Sequence, residues 1–125
     1  MTLVFILANS IQAQTTSPRK IGSQWPSWEL LDFQPESLKH KQTYGLDQFR
    51  GRVTIVGLLA SWCHFCRHQI EKMEQLQKEL STDGFEVNFA VINIHSGMDS
   101  QDEFISRCNF PLFQDTKEVD AFSKH

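Results

Sequence analysis

The sequence predicts an α/β fold built around a βαβ unit, and three stretches carry that prediction. Residues 52–60, RVTIVGLLA, form a continuous β-branched and apolar run, which is typical of a parallel strand covered on both faces. Residues 63–81 repeat apolar side chains every three or four positions, as an amphipathic helix does, and this predicted stripe consists of Cys66, Ile70, Met73, Leu76 and Leu80. Residues 85–94, FEVNFAVINI, form a second apolar strand. A strand, a helix and a strand in this order favour a parallel pair joined by a right-handed crossover.

The first 24 residues are predicted to be a signal-peptide-like segment and a linker, which leaves residues 25–125 as the domain. Leu3 to Ala8 is a short apolar run, and small and polar residues follow it. That pattern resembles a signal peptide cleaved near Ala8 to Ser10, or near Ala13. The run is too short to span a bilayer, so no transmembrane span is predicted.

The rest of the domain shows shorter signals. Residues 25–33, WPSWELLDF, indicate a short strand, and Pro26 restricts it to an edge or a strand start. A helix is expected from about Ser100, because Ser and Asp caps precede acidic residues in its first turn. Residues 110–115, FPLFQD, are extended, and residues 116–125 are predicted to begin another helix.

Composition limits the classes of function. With 125 residues the chain is one domain at most. The net charge is −3 and no run of Lys or Arg occurs, so nucleic-acid binding is not expected. Three cysteines do not make a disulfide framework, and two of them form a C-x-x-C pair.

The pair lies in Trp62-Cys63-His64-Phe65-Cys66, where the predicted strand ends and the helix starts. Backbone N–H groups and the positive end of the helix dipole favour a thiolate in the first turn. Cys63 is therefore the predicted nucleophile, and Cys66, one turn further in, is the resolving thiol. His64, when protonated, is expected to lower the thiol pKa further. Trp62 would form an apolar flank for the substrate.

Two other interpretations of the pair stay open. One is a permanent disulfide or two buried thiols. The other is a metal site that uses Cys63, Cys66, His64 and His68. Zinc usually takes a second ligand pair with its own spacing, which this chain lacks, whereas Cu(I) needs two thiolates. Cys108 stands apart and is expected to be a buried thiol.

Together these features resemble the thioredoxin-fold superfamily. The stretches that carry the resemblance are TIVGLL followed by ASWCHFC, the βαβ context, and the later FPLFQDT. Within the superfamily the chain is most similar to the N-terminal domain of selenoprotein P, of which it would be a cysteine-containing relative. Pro26 and Trp28, the strand end from Val91 to His95, and Pro111 to Phe122 match that family.

The resemblance implies a secreted redox protein that uses a Cys63–Cys66 disulfide and no other cofactor. Disulfide exchange and thiol-dependent peroxide reduction are the two implied reactions, with a small thiol or a protein as electron donor. An extracytoplasmic protein of bacterial type, in a periplasm-like compartment, is the alternative. A Cu(I)- or selenium-related carrier domain without catalysis is the alternative of a different class.

The resemblance also marks departures. Thioredoxins carry a buried Asp at the position of Gly57 and a Pro at that of Glu71. Their fold also continues with a cis-proline loop and a C-terminal hairpin, so the domain is expected to be truncated. The strand at 53–60 would then be an exposed apolar edge, and such edges self-associate.

Overall fold

The computed structural model describes residues 20–97 and 100–123. Of the predicted signal-like segment, residues 1–19 lie outside this part. The strands are β1 (Leu30–Asp32), β2 (Thr43–Tyr44), β3 (Thr54–Leu59), β4 (Asn88–Asn93) and β5 (Leu112–Gln114). The helices are α1 (His64–Thr82) and α2 (Asp102–Ile105), and a 3₁₀ helix spans Leu46–Phe49. No helix among the described residues is long and apolar enough to cross a membrane.

The five strands form one mixed sheet in the order β2-β1-β5-β4-β3. β3 pairs with β4 in parallel, and β4 pairs with β5 in parallel, whereas β1 runs antiparallel to both β5 and β2. The predicted βαβ unit is therefore confirmed, with α1 as its crossover. Leu59, Asn93 and Gln114 end the three parallel strands in register, which brings their carboxyl ends to one edge.

Two predictions for the strands need correction. The stretch 25–33 was expected to be a strand with Pro26 at a sheet edge or at the strand start, but β1 begins only at Leu30 and lies between β2 and β5. Pro26 lies outside the strand, so it does not interrupt the ladder. β3 was expected to be covered on both faces, yet most of its residues are half-buried, because β3 ends the sheet. β4 instead has both faces covered.

The core has two layers, one on each face of the sheet, and β4 supplies both. Phe89 and Val91 of β4 face α1, whose buried residues are Ile70 and Met73. Ala90 and Ile92 alternate with them and pack on the opposite face. That face also carries Trp28, Leu30, Tyr44, Phe113 and Ala121. The alternation follows from the two-residue period of a strand.

The long helix agrees with its prediction at both ends. Cys63 is the N-cap, and its sulfur accepts a hydrogen bond from the Cys66 N–H. At the other end the Phe85 N–H donates to the Leu80 carbonyl at 2.9 Å. Gly84 follows the helix with φ of 86°, a conformation that glycine adopts without steric cost.

The C-terminal region holds less helix than its sequence predicts. α2 has four residues, and no side chain caps it. The helix predicted over 116–125 is wrong for the described residues 116–123, which form turns. The Asp115 carboxylate accepts hydrogen bonds from the N–H groups of Thr116 and Ala121, and these local bonds replace those of a helix.

Candidate redox site

The C-x-x-C pair lies where β3 passes into α1, at the carboxyl edge of the parallel strands. A turn over residues 60–63 makes the connection, closed by a hydrogen bond of 3.1 Å from the Cys63 N–H to the Ala60 carbonyl. Cys63 has an extended backbone, with φ of −87° and ψ of 115°, and α1 begins at the next residue. The sulfur of Cys63 therefore lies at the amino end of a helix of 19 residues.

The surroundings of Cys63 favour its thiolate. Its Sγ accepts a hydrogen bond from the backbone N–H of Cys66 at 3.4 Å. The pKa of Cys63 is lowered, first by a hydrogen bond from the Cys66 side chain and next by that backbone N–H. Burial comes third in size and opposes them, and the smaller effects of the Phe65 backbone and the Arg67 charge again lower the pKa. Each of these groups stabilises negative charge on the sulfur.

Cys66 lies in the opposite environment. Its side chain packs against the first core layer, and burial is the largest cause that raises its pKa. A backbone hydrogen bond at Ala60 works against that rise, whereas the neighbouring Cys63 sulfur adds to it. The two cysteines are thiols in this structure. One sulfur is thus suited to attack and the other to remain protonated until it is needed.

Two exposed aromatic side chains flank Cys63. Trp62 is 53% exposed, and its indole Nε1 donates to the Ser96 hydroxyl at 2.9 Å. Trp62 thus presents an exposed ring beside Cys63, and its role as a flank for the substrate stays a prediction. Phe65 is 83% exposed, and the sequence did not predict this exposed ring beside Cys63. An outward Phe between two cysteines carries no periodicity signal that could have revealed it.

An ionic cluster borders the first turns of α1. The Arg67 guanidinium donates to a Glu103 oxygen at 2.9 Å, which links α1 to α2. Arg107 contacts both Glu71 and Glu103. Together with the two histidines of α1, Arg67, Glu71 and Arg107 line a cavity of about 270 Å³.

The four residues predicted as alternative metal ligands are not arranged as a metal site among the described residues. His64 is exposed, with its ring 6.0 Å from that of Phe65, and its influence on Cys63 stays a prediction. His68 Nδ1 lies 3.4 Å from a Glu71 oxygen. Among residues 20–97 and 100–123, no cluster of three or more His, Cys, Asp or Glu is arranged to hold a metal ion. Of the proposed set, the two thiols remain as a pair that a two-coordinate ion could use.

The strand below Cys66 offers no carboxylate at the position where thioredoxins carry one. A Cβ built on Gly57 would lie 3.2 Å from the Met73 sulfur and 3.3 Å from a Leu59 methyl group. The Met73 side chain therefore occupies the space that an acidic residue would need.

Cys108 does not belong to the site. Its side chain is buried in the first core layer, and its backbone carbonyl accepts a hydrogen bond of 2.8 Å from Gln34 Nε2. Burial, and after it the charge of Glu74, raises the pKa of Cys108 to about 12. The expectation of a buried thiol is confirmed.

The fold and the site define a class: a thioredoxin-like domain with a dithiol at the amino end of its long helix. The solved structures support this fold. A SCO1/SenC family lipoprotein from Bacillus anthracis matches with a TM-score of 0.65 at 15% identity, over 83% of this chain and 64% of that one. A Chlorobium tepidum protein assigned as thiol:disulfide interchange protein DsbE matches with a TM-score of 0.59 at 20% identity, over 77% of this chain and 63% of that one.

The chain belongs to the AhpC/TSA family, whose profile matches residues 21–122. Among curated proteins, the thioredoxin-like protein YneN of Bacillus subtilis is 26% identical over 113 residues. The match covers 86% of this chain and 64% of YneN, so the chain spans less than two thirds of that relative.

Proposed function

We propose that the chain is a thiol–disulfide redox protein in which Cys63 attacks and Cys66 resolves. The observation that carries the proposal is the asymmetry of the pair. Cys63 caps α1 and receives the Cys66 N–H, whereas Cys66 is turned toward the core, and the two pKa values shift in opposite directions. Membership of the AhpC/TSA family and the names of YneN and of the DsbE-type protein support the same chemistry.

In the reductive direction the Cys63 thiolate attacks one sulfur of a substrate disulfide. The substrate S–S bond breaks, a Cys63–substrate disulfide forms, and the departing thiolate takes a proton. Cys66 then loses its proton and attacks the Cys63 sulfur, which releases the second substrate thiol. The substrate has gained two electrons, and the pair has become a Cys63–Cys66 disulfide, which a thiol donor reduces again.

Peroxide reduction is a second use of the same atoms. The Cys63 thiolate attacks the peroxide O–O bond, which gives a sulfenic acid and releases an alcohol or water. Cys66 condenses with the sulfenic acid, one water molecule leaves in this step, and the same disulfide results. The comparison of rates with a model disulfide and with hydrogen peroxide decides which reaction the site favours.

We place this activity outside the cytoplasm. The apolar segment Leu3 to Ala8 supports export, and the B. anthracis structure named a lipoprotein agrees with it. The finer resemblance to the selenoprotein P N-terminal domain stays a prediction that rests on the sequence motifs. Expression with the full N-terminus in a secreting host tests export, because mass spectrometry of the exported protein then locates the cleavage near Ala8 to Ala13.

The reduction potential of the pair tests the function. The protein is equilibrated with glutathione buffers in the presence of a chelator, with Cys66→Ser as the control that removes the couple. We expect a reversible two-electron couple between about −120 and about −270 mV, the range of thiol–disulfide oxidoreductases. A potential far below that range would make the disulfide structural. Absence of a couple together with stoichiometric Cu(I) binding would instead establish the metal-binding alternative.

Trapping of intermediates tests the assigned roles. With a model disulfide, the Cys66→Ser variant is expected to accumulate a mixed disulfide on Cys63, because the resolving thiol is gone. The Cys63→Ser variant should accumulate little, since the half-buried Cys66, whose pKa is raised, attacks poorly. Equal trapping by both variants would contradict the assignment. Cys108→Ser is the matched control and should behave as the unmodified chain does.

A further inference from the structure

A buried network of hydrogen bonds lies directly beneath the redox turn. Asn93, the last residue of β4, is completely buried, and its Oδ1 accepts a hydrogen bond of 3.2 Å from the Ser61 N–H. Its Nδ2 donates to the Gln114 side-chain oxygen at 2.9 Å, and Gln114 Nε2 donates back to the Asn93 carbonyl at 3.3 Å. Gln114 of β5 thus orients the carboxamide of Asn93, and that carboxamide binds the Ser61 N–H.

The loop after β4 makes two further hydrogen bonds to the same turn. The Ser61 hydroxyl accepts the Ser100 N–H at 2.8 Å, and the Trp62 indole donates to Ser96 at 2.9 Å. Ser61 and Trp62 are the two central residues of the turn that ends at Cys63. Their placement therefore fixes the backbone of Cys63 and the direction of the first turn of α1.

Asn93 has no replacement in this arrangement. Ser61 is also completely buried, so water cannot reach its N–H group if the Asn93 oxygen is lost. A buried donor without a partner destabilises the fold, and the turn can avoid that loss by changing its backbone. Such a change would rotate the Cys66 N–H away from the Cys63 sulfur.

We propose that Asn93 is a positioning residue for the redox pair. Its carboxamide, oriented by Gln114, fixes the Ser61 turn and so directs the backbone N–H groups at the start of α1 toward the Cys63 sulfur. Asn93 contacts neither thiol and acts through the turn. The inference rests on the proposed function in one respect, the assignment of Cys63 as the attacking sulfur.

The test is the pH–rate profile of Cys63 alkylation by iodoacetamide, with the modified peptide quantified by mass spectrometry. Asn93→Leu keeps the branched shape and the number of heavy atoms of the side chain and removes both polar atoms. We expect this variant to react about three- to tenfold more slowly at neutral pH, with the midpoint of the profile at higher pH, because it loses stabilisation of the thiolate. A folded Asn93→Leu protein with an unchanged midpoint would overturn the proposal, as would an ordinary midpoint in the unmodified chain.

Gln34→Leu is the matched control. Gln34 is also a completely buried amide, and its Nε2 bonds to the carbonyls of Cys108 and Phe110, residues that take no part in the redox site. This variant is expected to lower the melting temperature and to leave the Cys63 profile unchanged. A purely structural role for Asn93 would give the same result in both variants.

Gln114→Met provides a second, milder variant in case Asn93→Leu does not fold. It removes the amide that orients Asn93, and the midpoint should move in the same direction by a smaller amount. An unchanged midpoint would overturn the proposal. In the double variant the effect should not exceed that of Asn93→Leu, because Gln114 acts through Asn93. Alkylation requires no redox partner, so a missing redox couple would defeat the proposed function and leave this test valid.

Discussion

The two thiols of the motif are chemically alike, and the single helical turn between them makes them different. Cys63 lies at the amino end of α1, where its sulfur accepts a backbone N–H, and Cys66 packs against the core. The largest cause of the lowered pKa of Cys63 is the hydrogen bond from the Cys66 side chain. The pKa of the proposed nucleophile therefore depends on its proposed resolving partner.

The first prediction removes that partner. Cys66→Ala should raise the pKa of Cys63, because the side-chain donor is lost while the backbone N–H remains. Cys66→Ser keeps a hydroxyl donor and should raise it less. Alkylation of Cys63 as a function of pH, in a Cys108→Ser background, measures both. Equal profiles for the Ala and Ser variants would show that the side-chain hydrogen bond contributes nothing.

The second prediction concerns Cys108 and alkaline pH. Its pKa is about 12 in the folded protein, and an unfolded thiol has a pKa near about 8.5. Because the folded-state pKa is raised, the buried protonated thiol contributes stability. That stability is fully present below the unfolded pKa and is lost as pH rises through the folded pKa. The free energy of unfolding should therefore fall above about pH 9, by at most about 1.4 kcal/mol per pH unit.

Chemical denaturation at several alkaline pH values measures this decline, and Cys108→Ala should flatten it. Tyr44 is the internal comparison, because burial, followed by its hydrogen bond to Asp32, also raises its pKa. Tyr44 begins to contribute only above the ordinary tyrosine pKa of about 10. An unchanged slope between about pH 9 and about pH 10 in Cys108→Ala would contradict the assignment.

At the scale of elements, α1 packs on the core through few of its side chains. Ile70 and Met73 are its buried side chains, whereas Leu76, on the same predicted apolar stripe, is 39% exposed. The periodicity correctly predicted the helix and its bounds. It overestimated the buried stripe, because the contacts of α1 depend on how far α2 and the sheet extend beneath it.

The third prediction compares two truncations on this helix. Ile70→Ala should lower the free energy of unfolding by about 2–4 kcal/mol, since it leaves a cavity in a fully buried position. Leu76→Ala removes a side chain of the same size from the same helix and should cost less than about 1 kcal/mol. Denaturant titration with far-UV circular dichroism measures both values. Similar losses would mean that α1 packs differently from the structure.

For the whole molecule, the open side of β3 is the decisive feature. Among the described residues, β3 pairs with β4 and with no other strand. The Asn88 N–H bonds to the Val53 carbonyl and the Ile94 N–H to the Leu59 carbonyl. In a parallel ladder the odd-numbered residues of β3 therefore form their backbone hydrogen bonds with β4. The even-numbered residues, Val56 among them, direct their N–H and C=O groups toward the open edge. A second copy could add a strand there.

The fourth prediction is that the 125-residue chain self-associates through this edge. Light scattering over a concentration series should show a species larger than the monomer. Val56→Pro removes one outward N–H, as an edge strand tolerates, and should shift the equilibrium to monomer. Val56→Ala loses the same side chain but keeps the N–H, and should still associate. A monodisperse monomer at high concentration would contradict the prediction.

The sequence by itself determined the βαβ core and the position of the redox motif, and it predicted the order of reactivity that we propose for Cys63 and Cys66. These features depend on hydrophobic periodicity and on spacing within one helical turn, which are local properties. It did not predict β2, and it wrongly extended helix into residues 116–123, where Asp115 forms local hydrogen bonds to the backbone. Short polar elements have weak local signals, and their bonding partners decide their form.

The tertiary structure alone decided which distant residues meet the motif. Ser61 and Asn93 are 32 positions apart, Asn93 and Gln114 are 21 apart, and Arg67 and Glu103 are 36 apart. No pattern in the sequence connects the members of these pairs. They meet because parallel strands end at one edge and because α2 packs beside α1. Pairing register and helix packing are non-local, so the support of the redox turn becomes visible only once the sheet is assembled.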